Sequence, residues 1–177
     1  MTSPFPGLLL WFVLPAVLLR LGTLAVSRRN ERRLKADGGV EVGRVNTLLL
    51  MVAHILYYAA AVAEGVWRAA PLDAVSYAGF VLYGFGIVML LVVMRLLGRW
   101  WTVKLILARD HELVTHPLFR WVRHPNYYLN LLPEMTGLAL ALHAFGVLAV
   151  GLPCYAILLV IRIRQEDHAM KARFAAY

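Results

Sequence analysis

Cysteine and acidic residues are scarce in this chain. Its 177 residues hold one cysteine, and 10 acidic residues against 18 basic ones. The single Cys154 excludes an intramolecular disulfide and any cysteine-based metal site. It lies inside an apolar run and reads as a small packing residue. An HExxH pattern is missing too. His111, Glu112 and His116 lie close together, but not at a spacing that builds a zinc site, so no metal is expected. Met1 to Phe5 carry no basic residue, so no removable signal peptide is expected. The shortage of acid leaves a net charge of +8. That charge would suit nucleic acid, but the basic residues are not interleaved with stacking aromatics, so no nucleic-acid partner is expected. Arginine outnumbers lysine fifteen to three, as in proteins of GC-rich bacteria.

What the chain has in excess is apolar surface. It is 61% hydrophobic with a mean hydropathy of +0.67, too apolar for an ordinary soluble domain. About 20 apolar residues cross a bilayer core. Runs of this kind cover residues 5–26, 45–67, 72–97, 127–145 and 146–163. Gly79, Gly84 and Gly86 in the third permit close helix contact. Pro15 is placed to kink the first run, and Pro133 and Pro153 to bend the last two. Those two read as a tight antiparallel hairpin. Basic residues cluster in 27–44, 95–123 and 162–173, which hold sixteen of the eighteen. With five spans all three clusters face one side, and the positive-inside rule makes that side cytoplasmic. The expected fold is all-α: residues 1–177 form one polytopic membrane helix bundle of five transmembrane helices. Its N-terminus is outside and its C-terminus cytoplasmic. Arg20 is expected to snorkel from its helix end.

Ionisable residues within the spans are few, and each is a functional candidate because lipid penalises charge. Glu64 has Arg68 four residues on, a helix-surface pair. His54 sits near mid-span, either lining a cavity or bonding a neighbouring helix. Tyr127, Asn130 and Glu134 form one polar stripe on the fourth run. That stripe is expected to face a cavity, with Glu134 paired to His54 or Arg95 across the bundle. His143, in the outer turn, is expected to be solvated.

The densest polar chemistry is at one membrane edge. Residues 98–127 and 162–177 are the expected cytoplasmic catalytic elements. Trp100 and Trp101 stand where interfacial anchors stand. Pro117 and Pro125 stiffen the loop and hold the residues before them extended. They present Arg123 and His124 at the start of the fourth run, among Phe119, Trp121, Tyr127 and Tyr128. A stiff, basic, aromatic turn suits a small ligand with a charged end and a flat ring.

Arg123-His124-Pro125-Asn126-Tyr127 resembles the Arg-His-Pro-x-Tyr motif of the isoprenylcysteine carboxyl methyltransferase and phospholipid methyltransferase superfamily. About forty residues on, Glu166, Asp167, Met170 and Phe174 resemble its Glu-Glu-x-x-Leu-x-x-x-Phe motif. Leu113, Val114 and Arg120 match the lead-in to the first motif. The likeness covers roughly residues 98–174. Asn126 and the Arg162-Ile163-Arg164 run look closest to a short bacterial branch linked to methylating alkylpyrones and alkylresorcinols. The resemblance implies an S-adenosylmethionine-dependent methyltransferase at the bacterial inner membrane, its active site facing the cytoplasm. It favours O-methylation of a lipophilic acceptor that arrives through the membrane lipids, with an amine acceptor left open. Arg123, Glu166 and Glu134 are the candidate catalytic residues. The candidate cofactor-binding residues are His124, Pro125, Tyr127, Arg164, Gln165, Glu166, His116 and Leu113. Chemically, Arg123 or Arg164 suits the cofactor carboxylate, and Glu166 suits its ammonium or ribose. Aromatic rings suit the sulfonium. The sequence departs from the family at Pro117-Leu118, which replaces Gly-Pro, and at Asp167, which replaces the second glutamate. Two rivals are a membrane reductase of the related sterol-reductase type and a non-enzymatic small transporter or scaffold. The short chain leaves little room for a dinucleotide, and no inverted repeat is visible.

Overall fold

The computed structural model describes residues 7, 9–69, 72–108 and 114–173. Helix α1 spans Leu14–Ala36 and follows a π turn at Leu9–Val13. Pro15 follows directly on that π turn, a local irregularity that accommodates its missing N–H within the continuing helix. The helix does not end with the apolar run at Val26. Ser27 to Ala36 is rich in Arg, Glu, Lys and Leu, all good helix formers, and continues the same helix. Thr23, Ser27, Asn30 and Leu34 form its buried stripe.

Strand β1 (Val40–Val42) leads to α2 (Arg44–Arg68) and α3 (Ala74–Leu97). A short 3₁₀ turn, Gly98–Trp100, precedes strand β2 (Leu105–Leu107). The strands pair antiparallel, Glu41 opposite Ile106, and add a small ribbon to the expected all-helical fold. The short helix α4 (Pro117–Trp121) follows. A π turn at Asn126–Leu131 runs into α5 (Leu132–Ala141), and one at Val147–Gly151 into α6 (Leu152–Arg173).

Among the described residues, four stretches are long and apolar enough to cross a membrane: Trp11–Ala36, Arg44–Arg68, Ala74–Trp100 and Val147–Arg173. The fourth expected span is helical but shorter. From Asn126 to Ala141 it covers roughly 24 Å at 1.5 Å per residue. It packs antiparallel along α3 through glycine. A Cβ on Gly79 would lie 2.2 Å from the Ala141 nitrogen, and one on Gly137 2.4 Å from the Tyr83 nitrogen. Gly84 has open space beside it instead. Met135, Leu138, Tyr57, Tyr83, Tyr155 and Leu159 fill the core around this seam.

At the end carrying Asp73, the hairpin between α5 and α6 is pinned to the bundle. The Glu64 carboxylate pairs with Arg68 at 2.8 Å and accepts from the Gly146 and Val147 amides, each at 2.8 Å. His143 is not simply solvated. Its Nε2 lies 2.9 Å from the Ser76 hydroxyl and 3.1 Å from the Asp73 carboxylate that caps α3. The chain therefore doubles back, and both polar clusters of the sequence meet at the other end.

Candidate active site

A cavity of about 810 Å³ lies where those clusters meet. Loop residues 100–107, residues 119–127 and one face of α6 supply its walls. Pro125 has helical backbone angles and starts the π turn. The amides of Tyr127 and Tyr128 both donate to the His124 carbonyl, at 3.0 and 3.1 Å. The wide π turn puts His124 and Tyr127 side by side, their rings stacked with centroids 5.7 Å apart.

Helix α6 meets them with residues at four-residue spacing, Arg162, Glu166 and Met170. The Tyr127 hydroxyl donates to Glu166 at 2.5 Å and accepts from Arg162 Nε at 3.2 Å. Arg162 also donates to Thr47 Oγ1 at 2.8 Å and to the Val103 carbonyl at 3.1 Å. His124 is buried between two carboxylates. Its Nδ1 lies 3.5 Å from Glu166 and its Nε2 3.0 Å from Asp167. Burial disfavours its charge, but Glu166 and Asp167 outweigh burial and raise its pKa above the ordinary histidine value. The result is an alternating row: Arg162, Glu166, His124 and Asp167.

The structure brings Arg123, His124, Pro125, Tyr127 and Glu166 to this cavity. It places other candidates elsewhere. Arg164 is exposed, two residues and so about 200° off the cavity face of α6. Gln165 turns to α2, where its Oε1 lies 3.5 Å from Asn46 Nδ2 and leaves no space for a Cβ on Gly43. His116 is exposed and caps α4, its Nδ1 accepting from the Leu118 amide at 3.2 Å. The Pro117-Leu118 departure thus begins a short helix. Leu113 lies outside the described residues, as do His111, Glu112 and Phe174. Trp101 is not an interfacial anchor but is buried in the cavity wall, packed with Leu90 and Val93.

Glu134 does not line this cavity. It is fully buried in the bundle and pairs with the Arg20 guanidinium and the Tyr58 hydroxyl. His54 Nε2 is 3.9 Å away. The partner is therefore Arg20 rather than Arg95. Arg20 sits within α1, and its guanidinium turns inward to the carboxylate instead of snorkelling toward the helix end.

Sequence reasoning passed over Arg162 as a site residue. The signal was its four-residue spacing to Glu166 on a helix.

The model of the isoprenylcysteine carboxyl methyltransferase (ICMT) family matches residues 78–172, from α3 through the cavity and along α6. The chain belongs to the ICMT family. Membership and the apolar helices make it a membrane-associated methyltransferase. An uncharacterized protein from Haemophilus influenzae is 38% identical over 156 residues, 88% of this chain and 91% of its own length. The uncharacterized protein YpbQ of Bacillus subtilis is 28% identical over 165 residues, 92% of this chain and 97% of its own length. No solved structure matches significantly.

ICMT-family enzymes use S-adenosylmethionine, and the residues here fit that group. The cavity offers cations for its carboxylate in Arg123 and Arg120, and Glu166 for its ammonium or hydroxyls. Leu105, Ile106, Phe119 and Met170 offer apolar cover for a flat ring. Trp101 Nε1 is buried beside the cavity with no partner among the described residues, a donor left for a ligand.

Proposed function

We propose that the protein transfers a methyl group from S-adenosylmethionine to an oxygen of a lipophilic acceptor, at the cytoplasmic face of a bacterial inner membrane. The observation that carries this reading is the row Arg162–Tyr127–Glu166–His124–Asp167 on the wall of an 810 Å³ cavity. The bound cofactor would supply an electrophilic methyl on a cationic sulfur. The protein's part is positioning, which alone is worth orders of magnitude in rate. Arg123 holds a carboxylate at the cavity. Glu166, held by Tyr127 and His124, accepts from an amine or hydroxyl. Apolar walls exclude water from the reacting oxygen. The acceptor class is an isoprenylcysteine-like carboxylate, or an alkylpyrone or alkylresorcinol hydroxyl, each an acid on a long apolar chain. Such a molecule reaches the site from the lipid while the cofactor comes from water.

Calorimetry of the purified protein with S-adenosylmethionine tests the reading. One saturable site is expected. Glu166→Ala is expected to weaken it by about 2–4 kcal/mol, the cost of removing one partner of a buried charged hydrogen bond. No binding by the wild type, or full affinity in Glu166→Ala, contradicts the proposal.

A further inference from the structure

Helix α1 carries Arg28, Arg29, Arg32 and Arg33, all exposed. None of them has an ion-pair partner among the described residues. The nearest carboxylate on the helix, Glu31, is taken by Lys35 at 2.7 Å and Lys104 at 2.6 Å. At about 100° per residue the four arginines centre roughly opposite the buried stripe of Thr23, Ser27, Asn30 and Leu34. They therefore point away from the bundle.

The same outward face is apolar one turn earlier. Leu18, Leu21 and Val26 are exposed on it, as they must be against acyl chains. It switches from aliphatic to cationic between Val26 and Arg28. From Arg28 to Arg33 the helix climbs roughly 7.5 Å at 1.5 Å per residue. The headgroup layer of one leaflet is about 5–8 Å deep, from a bilayer of about 40–45 Å with a core of about 30 Å. A layer of that depth can take all four guanidinium groups at once, and guanidinium binds phosphate in bidentate fashion.

The opposite face of the same turns grips the cavity wall. Asn30 Nδ2 donates to the carbonyls of Gly98 and Trp101, at 3.1 and 2.8 Å. The Val103 amide donates to Ser27 Oγ at 2.9 Å. Leu34 packs on Ile106 and Ala108.

We propose that this arginine face binds anionic phospholipid headgroups, and that binding steadies the 98–108 wall of the active-site cavity through Ser27, Asn30 and Leu34. The occupant is lipid rather than a soluble anion because the face continues directly from the acyl-facing surface. The ligand charge is a phosphate monoanion, and pairing releases counterions, so salt weakens it.

The test uses the full chain in nanodiscs of phosphatidylcholine alone, or with one third phosphatidylglycerol. Expected with phosphatidylglycerol are a melting temperature several degrees higher and slower amide exchange at 98–108. Both gains should shrink in high salt. They should vanish in R28Q/R29Q/R32Q/R33Q and survive in R28K/R29K/R32K/R33K. Equal behaviour in both discs, or a full response in the glutamine variant, overturns the proposal. So does the same shift from inorganic phosphate in neutral discs, which would make the ligand a free anion. Unchanged exchange at 98–108 despite a melting shift overturns the link to the cavity wall. Neither readout depends on methyl transfer.

Discussion

At the scale of single residues, the decisive groups are charges that hold one another. His124 is the one whose protonation can be followed. Its folded pKa is raised by Glu166 and Asp167, so the imidazolium contributes stability below the ordinary value of about 6.5. That contribution is lost as pH rises through the raised value. The melting temperature in detergent is therefore expected to fall on the alkaline side of about pH 6.5. His124→Gln should abolish that limb. An unchanged profile in the variant would mean the row is not a charge cluster. Glu134 gives a second measurement. Glu134→Gln keeps the shape but leaves Arg20 without a counter-charge, at a cost of about 3–5 kcal/mol. Arg20→Met with Glu134→Met should regain much of that in a denaturation series. A double variant no better than Glu134→Gln would show that the pair is not what holds α1. The candidate site was legible where a motif fixed which residues come together: Arg123, His124, Pro125, Tyr127 and Glu166 converge on one cavity. It was not legible where direction around a helix decides. Arg162 and Arg164 look alike in the sequence, yet a two-residue step turns one into the cavity and the other to the outside.

At the scale of elements, the α3–α5 seam is set by close backbone approach. Gly137→Val should collapse expression or lower the melting temperature sharply, because its Cβ would stand 2.4 Å from a backbone nitrogen. Gly84→Val should be tolerated, since nothing lies within 4 Å of its Cβ. A thermostability assay on both variants checks this. Hydropathy located the long helices but not their ends. The polar turns of α1 beyond Val26 lie outside the apolar run, and their partner, the 98–108 loop, is distant in sequence. The β1–β2 ribbon was invisible for the same reason: Val40 and Leu107 meet only after the helices pack. The fourth run read as a full span. Its helix stops at Ala141, where the turn at His143, with a positive φ of 54°, folds the chain toward α6.

At the scale of the whole molecule, charge asymmetry and the hairpin support the proposed orientation, in which the cavity end is cytoplasmic and the Asp73–His143 end faces outward. With Cys154 replaced, a cysteine at Asp37 should resist a membrane-impermeant thiol reagent in intact cells, and one at Asp73 should react. Both positions are exposed in the structure. The opposite pattern would invert the topology and place the cavity outside.

The Arg20–Glu134 pair joins residues 114 apart in the chain. During synthesis at about 5–20 residues per second, α1 meets the membrane some 6–23 seconds before its counter-ion exists. A lone arginine at a helix centre costs about 2.5–3.5 kcal/mol to insert. For those seconds the first helix is held in the bilayer by its aliphatic residues and its cationic end alone. Its final seat is taken only when the fifth helix arrives. Assembly of this small protein is thus timed by its last third, and a nascent chain cut short before Glu134 carries an unmatched charge on its first helix.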